Sequence, residues 1–275
     1  MIKLYTLTHA AAEEISLPDM SSLDAISRQL AAGLYSTFRT YGAGRKVLGL
    51  GAHLERLYGP FDGQPSAGEA EVRAHLRALL EPFAQSEARA RLSLALAGEQ
   101  PGQVFLAIEP LKLPGQDVYR LGIRTETTHV ERVAPRLKST AFIEKSEQER
   151  KEIRAHGVFE ALMVRRGRIL EGLTSNFYAV KAGTIITARD GILLGVTRRV
   201  VLRLARSNGL GIDYRPVSVA ELPEIDEAFI TSSSRGVVPV TEIDGEPVGK
   251  GVVGEIARQL GRAYEEYANA KAEWI

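Results

Sequence analysis

The sequence contains no cysteine. Disulfides, thiolate zinc sites, iron–sulfur clusters and a cysteine nucleophile are therefore excluded. It has almost no excess of either charge, with 35 Lys and Arg against 34 Asp and Glu, a formal net charge of +1. Such a chain offers no basic field to a phosphate backbone, so nucleic acid is not an expected partner. No stretch approaches the roughly 18 uninterrupted apolar residues of a membrane-spanning helix, and no membrane association is expected. The opening MIKLYTLTHAAAEEISL lacks a cationic stretch followed by an apolar core, so no signal peptide is read and a cytoplasmic protein is expected. The five histidines are scattered, with no HxxxH pair, and no metal site is expected. Neither a GxSxG elbow nor a P-loop is present, which leaves hydrolase and nucleotidase readings without support.

What is present is ordinary globular material: 275 residues, 44% hydrophobic and 25% charged. This suits one large domain or two of moderate size. Residues 21–41 begin with Ser and Asp cap candidates and place Leu23, Ile26 and Leu30 at helical spacing, then turn β-rich in GLYSTFRTY. YGAGRK follows as a hairpin turn, because its GxG does not lead from a strand into a helix as a dinucleotide loop does. VLGLGAHLERL reads as a strand running into a helix, 67–84 as an amphipathic helix, and 90–98 with 103–111 as a strand pair. Strands near 119–127, a charged helix over about 140–156 with a solvated face, several short strands and a helix over 201–209 complete the pattern. Strands and helices interleave without regular βαβ spacing, so the fold class expected is α+β. The Pro/Gly segment EPLKLPGQD divides the chain into a small N-terminal domain (1–112), a linker (113–120) and a larger C-terminal domain (121–275).

Three segments carry candidate chemistry. In GVTRRVV the backbone N–H groups of Val196 and Thr197, with the Thr197 hydroxyl as a helix cap, suit a phosphate at a helix N-terminus. FITSSSRG ends a strand in three hydroxyls and a glycine, a second oxyanion cradle or an ordinary polar turn. APRLKST places Lys138 at a strand end, where desolvation makes an amine nucleophile and a snorkelling surface Lys is the plainer alternative. A phosphate cradle, an amine and the carboxylate of Glu171 in LEGLTSN match what pyridoxal 5'-phosphate requires.

The order HLERL, LKS, EGLTSN, LLGVTR and a hydroxyl-rich strand followed by PVTEIDG resembles the fold-type IV, or class IV, pyridoxal-phosphate aminotransferases. That family includes branched-chain and D-amino-acid aminotransferases, (R)-amine transaminases and aminodeoxychorismate lyase. The resemblance implies an α+β, two-domain fold, a small N-terminal α/β domain and a larger C-terminal domain with the cofactor between them, and a homodimer or higher homo-oligomer. It implies that Lys138 is the catalytic Schiff-base lysine and that Glu171 partners the pyridine nitrogen. Arg56 of HLERL, Val196, Thr197 and Ser233 become cofactor phosphate ligands. Tyr35, Ser234, Arg39 and Arg91 become substrate-binding candidates, with surface ion pairing the plainer reading of the two arginines.

Three departures bear on substrate choice. LKSTAF has Ala141 where the family often has Asn, and Tyr35–Ser36 replaces the usual Phe–Glu. Val158 stands where branched-chain enzymes commonly place a Tyr beside the cofactor's phenolic oxygen. The implied activity is ping-pong transamination from an amino acid or amine to a keto acid through a Lys138 aldimine. A branched-chain type is the first expectation. D-amino-acid or (R)-amine transamination, or a related lyase, is the alternative. A non-catalytic dimeric module is the contrasting class, and the intact Lys–Glu–Arg set speaks against it.

Overall fold

The computed structural model describes residues 1–83 and 86–275. They form two compact units, each discontinuous in sequence. The first comprises Met1–Lys112, Leu137–Glu144 and Tyr267–Ile275, and the second Leu113–Arg136 and Lys145–Glu266.

The first unit is built on a seven-stranded antiparallel sheet. Its order from edge to edge is Glu273–Trp274, Lys46–Val47, Gly33–Tyr41, Ala88–Ala95, Val104–Pro110, Lys3–Leu7 and Ala12–Ile15. Leu34, Phe38, Leu92, Leu94 and Leu106 pack with Leu50, Leu54 and Leu57 of the Leu50–Tyr58 helix and Val72, Leu76 and Leu80 of the Glu69–Leu80 helix. The apolar spacing on both helices suits a surface helix that buries one stripe. The helix expected over 67–84 thus begins at Glu69 and is followed by a single 3-10 turn, Glu81–Phe83, while residue 84 lies outside the described residues. Ser22 caps the Leu23–Gln29 helix by accepting from Ala25 N at 3.0 Å. The YGAGRK segment is the expected turn, joining Gly33–Tyr41 to Lys46–Val47, with Ala43 and Gly44 N–H groups donating to Glu87.

In the second unit the strands run Gly211–Asp213, Thr184–Ile186, Asn176–Lys181, Glu227–Ser232, Gly236–Ile243, Ile123–Thr128, Glu160–Arg165, Arg168–Gly172 and Val217–Ser218. An added pairing of Asn176 with Glu171 joins the Arg168–Gly172 strand back to Asn176–Lys181. The central strands are thereby closed into a ring, which leaves them no edges. Leu162, Phe177, Ile230, Val238 and Val240 are among its buried side chains.

Local expectations shift where side chains compete with the backbone pattern. Segment 119–127 opens as the Gln116–Leu121 helix, within the stretch expected as linker, before the Ile123–Thr128 strand. Gly122 makes the turn at φ +81°, and a Cβ there would lie 2.4 Å from Thr241 Cγ2. The charged helix breaks at Ser146 into Ala141–Lys145 and Glu147–Ala155. The helix expected over 201–209 starts earlier, at Val196, and runs to Ser207 before Gly209 at φ +75°. The two contiguous domains expected from the Pro/Gly segment are replaced by the discontinuous units. Residues 137–144 join the first unit because Ser139 bridges Leu34, and Thr140 exchanges hydrogen bonds with Gly33. Among the described residues no helix is long and apolar enough to cross a membrane.

Candidate active site

Successive strand residues point to opposite faces, and the Gly33–Tyr41 strand uses both. Ser36 meets the Leu50–Tyr58 helix: its Oγ lies 2.9 Å from His53 Nδ1 and accepts from Arg56 Nη2 at 2.8 Å. His53 and Arg56 are three residues apart and so share a helix face. Arg56 Nη2 also lies 3.4 Å from His53 Nδ1. Since the guanidinium can only donate, the Ser36 proton goes to Nδ1, which makes the imidazole a neutral acceptor. Burial pushes the His53 pKa well below the usual imidazole value, and the charges of Arg56 and Lys138 add to the effect.

Tyr35 turns to the other face by the same alternation. Lys138 Nζ lies 4.9 Å and Arg91 Cζ 4.6 Å from its ring centroid. The Tyr35 backbone N–H donates to the Lys138 carbonyl at 2.9 Å, which fixes the lysine's base against the strand. Lys138 is half-buried and stands in a loop, not at the expected strand end. Pro135 lacks a ladder donor, and pairing begins only at the isolated Ser139–Leu34 bridge. Arg91 is engaged by Asp24 and Ser27 and by the Leu23 carbonyl, each at 2.8 Å, and by Thr37 at 3.0 Å. Arg39 is buried with its Cζ 4.5 Å from the Tyr41 centroid.

The second unit holds the acidic group. Glu171 is buried; Oε1 accepts from Arg132 Nε at 3.1 Å, and Oε2 accepts from Asn176 Nδ2 at 3.1 Å and Leu193 N at 3.0 Å. Asn176 reaches it because the two residues are register partners. Its amide also donates to Leu193 O at 2.8 Å, tying the glutamate strand to the segment entering the Val196–Ser207 helix.

Gly195 is the N-cap of that helix and makes no side-chain cap bond. Thr197 therefore does not cap the helix, contrary to the expectation from the sequence, but lies inside its first turn. Its hydroxyl lies 3.4 Å from Ser233 Oγ and 3.4 Å from Tyr264 OH. Two of the sequence-derived residues, Thr197 and Ser233, are thus neighbours at a helix N-terminus with partial positive charge. A Cβ at Gly195 would lie 2.4 Å from Asn176 Oδ1, so the backbone can pass here only without a side chain. Ser234 follows in the turn before Gly236.

Ser36, His53, Arg132, Asn176 and Tyr264 escaped the reading of the sequence as site residues. Asn176 carried a signal, because it ends EGLTSN. Arg132 carried none: it meets Glu171 across 39 positions, and only pairing in the folded chain brings them together.

A family model described as "Amino-transferase class IV" matches residues 33–243. The chain belongs to the class IV aminotransferases. It is 30% identical to the D-alanine aminotransferase of Bacillus licheniformis, over 86% of this chain and 88% of that one. It is also 30% identical to a Thermotoga maritima protein named "Probable branched-chain-amino-acid aminotransferase", over 96% of this chain and 95% of that one. A T. maritima crystal structure assigned to a branched-chain amino acid aminotransferase superposes with a TM-score of 0.80 at 27% identity, covering 97% of this chain and 96% of the other. The class IV fold is α+β, as the two sheets with flanking helices show.

Proposed function

We propose that this aminotransferase uses pyridoxal 5'-phosphate to move an amino group from an amino acid to a keto acid in ping-pong fashion. The observation that carries the reading is the buried Glu171 carboxylate, which takes donors on both oxygens. Donors on both oxygens fix the carboxylate's orientation and use it as an acceptor, which is the role the partner of a pyridine nitrogen must fill. The phosphate is matched by the uncapped helix N-terminus and by the side-chain-free approach at Gly195, with the Thr197 and Ser233 hydroxyls alongside. These features fit the cofactor.

When bound, the cofactor supplies an electron sink for the carbanion formed next to the amino group. Lys138 would hold it through Nζ, and the same amine would be the base for the substrate α-carbon proton. Tyr35 packs beside Lys138 and restricts where the amine can swing. Arg56, held by Ser36, presents a fixed charge to the phosphate, with the Val196 and Thr197 N–H groups. Tyr35 and Ser234 line the substrate site. Arg39 and Arg91 are both candidates for a substrate carboxylate, Arg91 with its guanidinium also packed over the Tyr35 ring and paired with Asp24.

The first reading of the substrate is a branched-chain L-amino acid. The second is a D-amino acid or an (R)-amine; Val158, a buried apolar side chain that supplies no donor to the cofactor's phenolic oxygen, counts against the first. A homodimer in the cytoplasm completes the proposal. Half-reactions of the loaded protein with L-leucine, D-alanine and an (R)-amine, followed by cofactor absorbance, test it. Conversion by none of the three amino donors sinks the transaminase reading, and conversion by D-alanine alone replaces the first substrate by the second.

A further inference from the structure

Two turns of the second unit carry the groups assigned to the cofactor. The 171–176 turn bears Glu171 and Asn176, and the 232–235 turn bears Ser233 and Ser234. Both turns end on one buried carboxylate that the reaction itself does not use, Glu160, whose side chain is 2% exposed.

Glu160 begins the Glu160–Arg165 strand, and its Oε2 collects donors from both turns. From the first come the Thr174 hydroxyl at 2.5 Å, the Thr174 N–H at 3.3 Å and the Ser175 hydroxyl at 3.0 Å. From the second comes Arg235 Nη2 at 3.3 Å. Arg235 in turn donates to Thr174 Oγ1 at 2.7 Å and to Ser232 Oγ at 3.0 Å. The packing leaves no slack: a Cβ at Gly172 would lie 2.3 Å from Ser175 Oγ and 3.0 Å from Glu160 Cγ. An anionic acceptor is what this cluster of donors requires, because a neutral amide presents one acceptor and adds donors of its own.

We propose that Glu160 is a positioning residue that clamps the 171–176 turn to the 232–235 turn, with Arg235 as its counterpart. The clamp holds the ring-nitrogen partner and the phosphate hydroxyl in one frame. The inference rests on the cofactor roles proposed above for Glu171 and Ser233. Removing the charge at Glu160 frees both turns together, although they are some sixty residues apart and belong to different hairpins. A residue acting only on its own strand would loosen neighbouring strands instead.

The test uses the full-length chain and the substitutions Glu160→Gln, Arg235→Met and both combined. Amide hydrogen exchange without cofactor reports the clamp, and absorbance titration with pyridoxal phosphate reports its consequence. Each single variant should raise exchange about tenfold in both turns and weaken cofactor binding by about tenfold, the scale of one hydrogen bond to a charged group. Because the two side chains act as one unit, the double variant should lose little more than either single variant. Faster exchange confined to one turn, or spread over every strand of the sheet, overturns the proposal. So does a double variant whose loss is the product of the two single losses, near a hundredfold. Should Glu160→Gln fail to fold, Thr174→Val removes one arm of the clamp, and unchanged exchange in the 232–235 turn of that variant overturns it as well. A wild-type chain that does not bind pyridoxal phosphate removes the cofactor reading itself, and this appears in the wild-type titration before any variant is compared.

Discussion

Arg132 Nε lies 3.1 Å from Glu171 Oε1, with the two side chains only 6% and 2% exposed. A buried ion pair of this kind contributes little net stability, yet breaking it by removing one partner is expensive. Arg132→Met should therefore destabilise the chain by about 3–5 kcal/mol, the cost of leaving the partner charge buried and unpaired. Denaturant unfolding without cofactor checks this. A loss below about 1 kcal/mol would show that Glu171 finds compensation elsewhere.

Lys138→Ala tests the covalent anchor. The variant should fold, since the segment is held by backbone contacts of Lys138, Ser139 and Thr140 that an alanine keeps. It should lose the visible absorbance of the loaded protein and all transamination. Retained visible absorbance would assign the anchor to another lysine.

Arg56→Ala tests the phosphate assignment in the first unit. Apparent cofactor affinity should fall by roughly 2–3 kcal/mol, the scale of a charge-assisted pair, while turnover at saturating cofactor changes less. Unchanged affinity in equilibrium titration would place Arg56 away from the phosphate.

His53 predicts an acid limit to stability. Its folded pKa lies well below the usual imidazole value, so between the two the unfolded chain binds a proton that the native chain refuses. Stability should therefore be flat with respect to this group above about pH 6.5 and decline below it, by up to about 1.4 kcal/mol per pH unit. His53→Gln, which keeps an acceptor for Ser36, should flatten that slope in unfolding measured from pH 7 to 5. An unaltered slope would assign the acid sensitivity to other groups.

Gly195→Ala tests the close approach at the helix N-terminus. With a Cβ 2.4 Å from Asn176 Oδ1, either the helix start or the asparagine must move. Overpacking of this kind costs about 1–3 kcal/mol. Because Asn176 also donates to Glu171, cofactor affinity should fall as well as stability. A stable variant with normal affinity would mean that the backbone there is not constrained.

The sequence by itself determined the family and the α+β class, and it named candidate groups for the chemistry. Those features are local: motif residues such as EGLTSN and GVTR stand adjacent in the chain, and hydrophobic spacing follows the period of each element. Pairing of Thr197 with Ser233 was legible in part, because each sits in a recognisable segment. Only the tertiary structure decided which residues support them. Arg132 finds Glu171, Ser36 finds Arg56 through a helix packed on its strand, and Glu160 gathers two distant turns. It also decided that residues 137–144 leave the C-terminal stretch for the first unit. A lysine, glutamate or serine carries no mark of its eventual partner, because buried ion pairs and hydrogen bonds depend on strand register and burial, which exist only once the sheets have closed.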